Sequence, residues 1–199
     1  MVSKIKKNFE IEIRGRLTKK DFERLTTLMS EDGLFVDRYK RLSIDLSPGF
    51  DPETKTWPNS SKFDLRVKKS GSSEKVSVKV GQFHLKRRKE IEVKLKNGEF
   101  LNAVLLLETL GFDKGMLYFW ESWVYTYQGF EVKLSKYKDE YFTWEIESDN
   151  SNFTPHELAK SLNLVPYGKR EYNQAINWEN KNIHKIYSYK LLEKLLKQF

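Results

Sequence analysis

The 199-residue chain carries 36 lysines and arginines against 28 aspartates and glutamates, a formal charge of +8 that suits an anionic ligand and equally a nucleic-acid backbone. It has no cysteine, which excludes disulfides, thiol catalysis and zinc sites built on sulfur. No apolar run approaches the roughly 20 residues of a membrane span, and there is neither a Walker-type glycine loop nor a Gly-x-Ser-x-Gly elbow.

In chain order, Lys4, Lys6 and Lys7 run directly into a strand over about 9–15, with no apolar signal segment between them, so a cytoplasmic protein is expected. Thr18-Lys19-Lys20-Asp21 reads as a helix start, and the helix to about Ser30 turns Phe22, Leu25 and Leu28 or Met29 inward. One or two strands follow over 35–46. The segment 47–61 holds Pro48, Pro52 and Pro58, three of the five prolines, and reads as a long loop at a tunnel mouth or sheet edge. Strands are predicted at 62–68, 75–80 and 86–95. A helix over 101–110, with Leu101, Leu105 and Leu106 inward, ends at Gly111. Three more strands cover 117–127, 130–135 and 141–148. Thr154-Pro155-His156-Glu157 opens a helix to about Leu162 with a capping box and a proline at its first position. The last helices are placed at 172–178 and 184–198, the second with Ile186, Tyr187, Leu191, Leu192, Leu195 and Leu196 on one broad apolar face. His84, His156 and His184 show no ligand spacing and read as surface or packing residues.

Three of the strands alternate carboxylates with bulky apolar residues: Glu10-Ile11-Glu12-Ile13-Arg14, Arg88-Lys89-Glu90-Ile91-Glu92 and Glu145-Ile146-Glu147. Successive side chains of a strand point to opposite faces, so each gathers its carboxylates on one face and its isoleucines on the other. Two others, Asp64-Leu65-Arg66-Val67-Lys68 and Val76-Ser77-Val78-Lys79-Val80, carry cations at the same spacing. Clustered glutamates suit Mg²⁺ or Mn²⁺, which prefer oxygen ligands, while guanidinium and ammonium groups clamp phosphate oxygens. Together they predict a polyphosphate site. The strands are too many for a flat sheet and their charged faces need a shared interior, so an α+β fold built on a closed antiparallel β-barrel is expected.

In this order the motifs resemble those of the CYTH family, the triphosphate tunnel metalloenzymes. Glu10, Glu12 and Arg14 match its Glu-x-Glu-x-Lys strand with Arg for Lys; Arg66 and Lys68 match Arg-x-Arg with one exchange, and Lys79 its lone Lys. Arg88, Glu90 and Glu92 match Arg-x-Glu-x-Glu, Glu145 and Glu147 the final Glu-x-Glu, and Leu110-Gly111-Phe112 the helix end. The resemblance covers about 9–172. It implies an eight-stranded tunnel within one domain, 1–199, with flanking helices and with 153–199 as a helical extension packed on the tunnel. It implies Mg²⁺ or Mn²⁺ on Glu10, Glu12, Glu145 and Glu147, with Glu90 and Glu92 contributing directly or through water, and phosphate held by Arg14, Arg66, Lys68, Lys79 and Arg88. Glu10, Glu12, Arg14 and Lys79 are expected to carry catalysis. The implied activity is metal-dependent hydrolysis of an inorganic, nucleoside or thiamine triphosphate. Class IV-type adenylyl cyclisation and a silent tunnel binding a nucleotide or RNA 5′-triphosphate are the alternatives. No membrane partner is expected, and RNA only through a 5′-triphosphate.

Two positions depart from the family pattern. Ser135 stands where an Asp belongs, and the Lys-x-Arg strand falls on Phe119-Trp120-Glu121-Ser122-Trp123, which lacks a cation. Lys133, on the face of Ser135, is expected to restore one charge. Trp120, Trp123, Tyr125 and Tyr127 nearby read as core under helices, with a platform for a base or thiazole ring as the alternative. Unbroken alternation puts Trp123, Tyr125 and Tyr127 on the face of Glu131 and Lys133, unless a bulge at Gly129 reverses it.

Overall fold

The computed structural model describes residues 11–57, 63–81, 89–137, 141–148 and 154–199. The chain runs β1 (Ile11–Leu17), α1 (Lys19–Asp32), β2 (Leu34–Leu46), β3 (Phe63–Ser70), β4 (Ser73–Val80), β5 (Lys89–Lys94), α2 (Phe100–Thr109), β6 (Gly115–Tyr127), β7 (Phe130–Lys136), β8 (Phe142–Ser148), α3 (Pro155–Ser161), α4 (Lys169–Asn182), β9 (Lys185–Ile186) and α5 (Tyr189–Leu196). Eight strands form one antiparallel sheet in the order β1-β8-β7-β6-β2-β3-β4-β5, and the two-residue β9 pairs with β6 beside it. The fold is α+β, as expected, but the sheet is not closed into a barrel among the described residues. β1 is laddered only to β8 and β5 only to β4, and no hydrogen-bonded pairing joins these two end strands.

The sheet is nevertheless strongly curled. Lys79 on β4, near one end of the order, acts electrostatically on Glu12 of β1 and Glu145 of β8 at the other. The concave face is polar and the convex face apolar because the strands alternate with a period of two, which β2 interrupts against β6 only between Phe35 and Asp37. On β2, Leu42, Ile44 and Leu46 are fully buried on the outside, while Ser43 and Asp45 point inward.

Two apolar clusters cover the convex face. Leu25 and Met29 of α1 and Leu158 and Ala159 of α3 pack on Ile13, Leu134, Trp144 and Ile146. Phe100, Ala103 and Val104 of α2, with Tyr187 and Leu192, pack on Leu42, Ile44, Val67 and Leu117. Leu101 packs against this cluster as expected, but Leu105 and Leu106 are exposed. Phe100 at the first turn fixes the phase, and the buried positions recur from it at helical spacing, leaving two of three consecutive leucines outside. Ile186 likewise is exposed, because β9 and not a helix carries it.

Both expected helix starts exist, with different chemistry. Thr18 Oγ1 accepts from the Asp21 amide at 3.1 Å. Thr154 makes no side-chain cap, and α3 instead begins on Pro155, whose fixed φ suits the first position.

The β6–β7 turn corrects the aromatic assignment. Gln128 and Gly129 both have positive φ, 50° and 82°, and form a two-residue hairpin turn without a bulge. Pairing across it sets Tyr125 against Val132 and Trp123 against Leu134, so residues of opposite number parity share a face. Trp123, Tyr125 and Tyr127 thus lie on the convex, apolar side with the α1 cluster, away from Glu131 and Lys133. They are core, and only Trp120 faces the interior.

At Gly115, where β6 starts against the end of β2, an added Cβ would run into the carbonyl oxygen of Asp45. Neither strand can yield without breaking its ladder. Gly115→Ala is expected to lower unfolding stability by about 2 kcal/mol or more, measured by urea denaturation.

Candidate functional site

The register of β1, β8 and β7 lines up the interior charges in rows. Glu12 lies opposite Glu147, which lies opposite Glu131; one step along, Arg14 lies opposite Glu145, which lies opposite Lys133. A row of three carboxylates thus sits next to a row in which a carboxylate is flanked by two cations. Glu12, Glu145 and Glu147 each offer a carboxylate oxygen within 4.8 Å of the others. Glu10 and Arg88 lie outside the described residues.

The two rows set the carboxyl pKa values apart. Burial, then Glu145 and Glu147, pushes Glu12 above the ordinary range, and Lys79 and Arg14 only partly offset this. Burial acts upward on Glu145 too, but Arg14, Lys133, Arg41 and Lys79 outweigh it and hold that carboxyl low. The Lys133 ammonium bridges Glu131 and Glu147, at 2.7 Å each. Burial opposes its charge, and the three surrounding glutamates overcome that and raise its pKa.

Across the interior, Arg66 donates to Asp64 at 2.8 and 2.7 Å and lies 3.1 Å from Asp45. Asp45 is almost wholly buried, and burial opposed by Arg66 pushes its carboxyl up to about 7. Lys68 sits 3.3 Å from Glu90, and Lys79 sits 3.4 Å from the same carboxylate. Burial, then the neighbouring Arg66, brings the Lys68 ammonium down to about 8. Glu90 is held low because Lys68 and Lys79 outweigh its burial. Glu92 lies against Lys75 and within 4.0 Å of Lys68. Glu90 and Glu92 are thus engaged by lysines, and neither joins the carboxylate cluster of Glu12, Glu145 and Glu147.

Arg14 is engaged from outside the sheet. Glu179 on α4, 1% exposed, accepts from the Arg14 guanidinium at 3.1 Å and from the Tyr141 hydroxyl at 2.5 Å. His184 Nε2 lies 3.6 Å from the other oxygen. Burial lowers the His184 pKa, so this packing histidine is neutral near pH 7. Arg14 Nε is buried without a partner among the described residues. Glu179 has no signal in the sequence: it is one carboxylate on a charged helix.

The two departures from the family pattern meet each other. Ser122 and Ser135 lie opposite on β6 and β7, buried, with hydroxyls 2.8 Å apart. A neutral hydrogen bond occupies the level at which the motifs lead one to expect ionic groups. Trp120 stacks on Tyr137 at 5.4 Å, Tyr141 stacks on Trp178 at 5.1 Å, and the Arg16 guanidinium lies over Tyr141 and Trp178. Asp45, Asp64 and Arg41 complete the interior. All three sit in strands at the same alternation that drew attention to the glutamates, and Arg41-Leu42-Ser43-Ile44-Asp45 shows it plainly.

No family model matches the chain, and no curated protein matches it in sequence. Solved structures do match in fold. The protein PH1012 of Pyrococcus horikoshii OT3 is 19% identical, with a TM-score of 0.61, over 81% of this chain and 93% of its own. A candidate adenylate cyclase from Vibrio parahaemolyticus is 12% identical, with a TM-score of 0.54, over 94% of this chain and 98% of its own. HpAC1 from Hippeastrum, a candidate adenylyl cyclase whose structure is described as revealing a dominant triphosphatase activity, is 12% identical, with a TM-score of 0.52, over 84% and 95%. The chain therefore has the fold of CYTH-type proteins, the family its strand motifs resemble.

Proposed function

We propose that the protein is a divalent-metal-dependent hydrolase of a triphosphate bound along the concave face. The observation that carries this reading is the cluster of Glu12, Glu145 and Glu147 beside a field of cations. Three carboxylates with mutually accessible oxygens, one of them with its pKa raised by burial and then by the other two, form a site short of positive charge. That deficit and the all-oxygen donor set fit Mg²⁺ or Mn²⁺. Glu10, by its motif, is proposed as a further ligand. A divalent ion there supplies Lewis acidity toward phosphate oxygens and water.

Within this reading Arg14, Arg66, Lys68, Lys79, Arg88 and Lys133 hold nonbridging phosphate oxygens. Water attacks the terminal phosphorus in line; a new P–O bond forms as the bond from that phosphorus to the bridging oxygen breaks, the diphosphate leaves with the electron pair, the water's proton passes to solvent, and the cations carry the charge that moves onto the leaving oxygen. Arg14, Arg66, Lys68, Lys79 and Lys133 are matched to protein carboxylates at 4.0 Å or less, so a polyphosphate must compete with Glu179, Asp64, Glu90 and Glu147 for them. Only a ligand of high charge density gains from that exchange. The fold likeness to HpAC1, described as a triphosphatase, supports the reading.

The Ser122–Ser135 pair favours a second reading, a tunnel that binds a triphosphate without turning it over. Loss of one preorganised donor costs about 3–4 kcal/mol in the transition state. Phosphate and pyrophosphate release from tripolyphosphate, ATP, thiamine triphosphate and triphosphorylated RNA, with Mg²⁺, with Mn²⁺ and with metal removed, separates the two. Release from at least one member is expected, and cyclic AMP formed from ATP would instead favour the cyclase alternative. Silence across the panel would favour the binding tunnel.

Glu12→Gln and Glu145→Gln are each expected to reduce turnover by about 100-fold or more while leaving the circular-dichroism spectrum unchanged. Wild-type rates in both would overturn the metal assignment. A second expectation follows from the raised pKa of Glu12. The fold favours its protonated form, so this group's contribution to stability is present at low pH and lost as pH rises through its folded pKa. A divalent ion binds the ionised form and offsets that loss. Mn²⁺ should therefore raise Tm more at pH 8 than at pH 5, and Glu12→Gln should abolish most of the difference.

A further inference from the structure

Among the described residues, Arg41 is an interior cation with no carboxylate partner. Arg41 of β2 lies on the concave face, directly opposite Trp120 of β6 and Ser70 of β3. Its Nε donates to Ser70 Oγ at 2.8 Å and its Nη2 to the Tyr39 hydroxyl at 2.9 Å, both neutral acceptors. The guanidinium also lies over the rings of Tyr39 and Trp120, at 4.8 and 5.5 Å. Arg14, Arg66, Lys68, Lys79 and Lys133 each have a carboxylate within 4.0 Å, but among the described residues Arg41 makes no ion pair. Its charge reaches Glu145 across the interior.

The register gives this its meaning. Arg41 faces Trp120, and Tyr39, whose hydroxyl fixes the guanidinium, faces Ser122. These are the two interior positions of the strand where the motif pattern expects Lys-x-Arg. The charge missing from β6 is present one strand away, on β2.

We infer that Arg41 is a phosphate-binding residue of this concave face, gripping a nonbridging oxygen of a condensed polyphosphate in place of the absent Lys-x-Arg cations. The inference rests on the triphosphate reading but not on hydrolysis. The guanidinium is pre-oriented by two hydrogen bonds and two rings, so little side-chain entropy is lost on binding. Among the described residues two of its N–H groups are used, which leaves others to donate to an anion. It gives up no carboxylate partner on binding, unlike the cations matched to one. Tripolyphosphate is the simplest ligand of this class, since it offers oxygens and no ring.

The test is equilibrium binding of tripolyphosphate by calorimetry, with metal removed by EDTA so that no turnover intrudes. Lys40→Ala is the control. It deletes the same charge from the next residue of the same strand, where the side chain points outward and its Nζ donates to the Gln198 carbonyl. Arg41→Ala is expected to weaken binding by about tenfold or more, Arg41→Lys to recover part of the loss, and Lys40→Ala to stay within about twofold of wild type. Arg41→Gln, which keeps hydrogen-bonding capacity, replaces Arg41→Ala if that variant fails to fold, judged by Tm. Binding by the neutral Arg41 variant within about twofold of wild type, or an equal loss in Lys40→Ala, would overturn the assignment. Wild-type protein that binds tripolyphosphate but never hydrolyses a triphosphate would overturn only the hydrolase reading. Wild-type protein that does not bind it in EDTA is retested with Mg²⁺, where the same comparison of variants applies, and absence of binding in both conditions would overturn both.

Discussion

The structure depends on placing many charges on one curved face and balancing them there. Strand alternation forces the choice: a strand that puts Ile13, Ile44 or Val67 into an apolar cluster must put Glu12, Asp45 or Arg66 on the other side. Gathered carboxylates repel one another and resist ionisation, so the arrangement persists only where cations or bound metal answer them. Arg14 and Lys133 flank Glu145, Lys68 and Lys79 share Glu90, and Asp45 and Asp64 share Arg66. Curling the sheet improves the balance, because it brings Lys79 of β4 within electrostatic reach of β1 and β8.

The convex face supplies the stability that such an interior does not. Fully desolvated ion pairs return little net free energy, since the cost of removing charges from water offsets their attraction. Burial of side chains such as Trp144, Leu134 and Ile146 under α1 and α3, and of Leu42, Ile44 and Val67 under α2 and α5, is the favourable term. The helices therefore have two tasks. They cover apolar surface, and in α4 one of them also reaches the interior with Glu179.

Much of this was legible from alternation alone. The carboxylate and cation strands, the helix at Thr18, the order of elements and the common polar face all follow from a period of two and from turn chemistry. What was not legible had three physical causes. Closure into a barrel depends on pairing between two end strands, and no local pattern states whether that pairing forms. The face of Trp123, Tyr125 and Tyr127 depended on the length of one turn: two residues, Gln128 and Gly129, invert the parity that simple counting carries through. The phase of α2 was hidden because Val104-Leu105-Leu106-Leu107 is apolar all round, and only contact with the sheet selects Val104. Arg41 and Asp45 lie within reach of the same alternation, but no glutamate beside them marks their strand as charged. Glu179 was out of reach, since its role exists only through a contact 165 residues away in sequence.

That contact ties the mobility of a helix to the occupancy of the interior. Arg14 carries one positive charge, and an anion reaching its unpartnered Nε–H would share that charge with Glu179. Removing one partner of a buried pair costs about 3–5 kcal/mol, so an anion that takes Arg14 leaves Glu179 to Tyr141 and His184 and loosens the anchorage of α4. Conversely, lifting α4 uncovers a positive charge at the end of the concave face. Under the triphosphate reading, ligand and helix would draw on one guanidinium, and by linkage α4 would weaken anion binding by the same free energy with which the anion weakens the hold on α4.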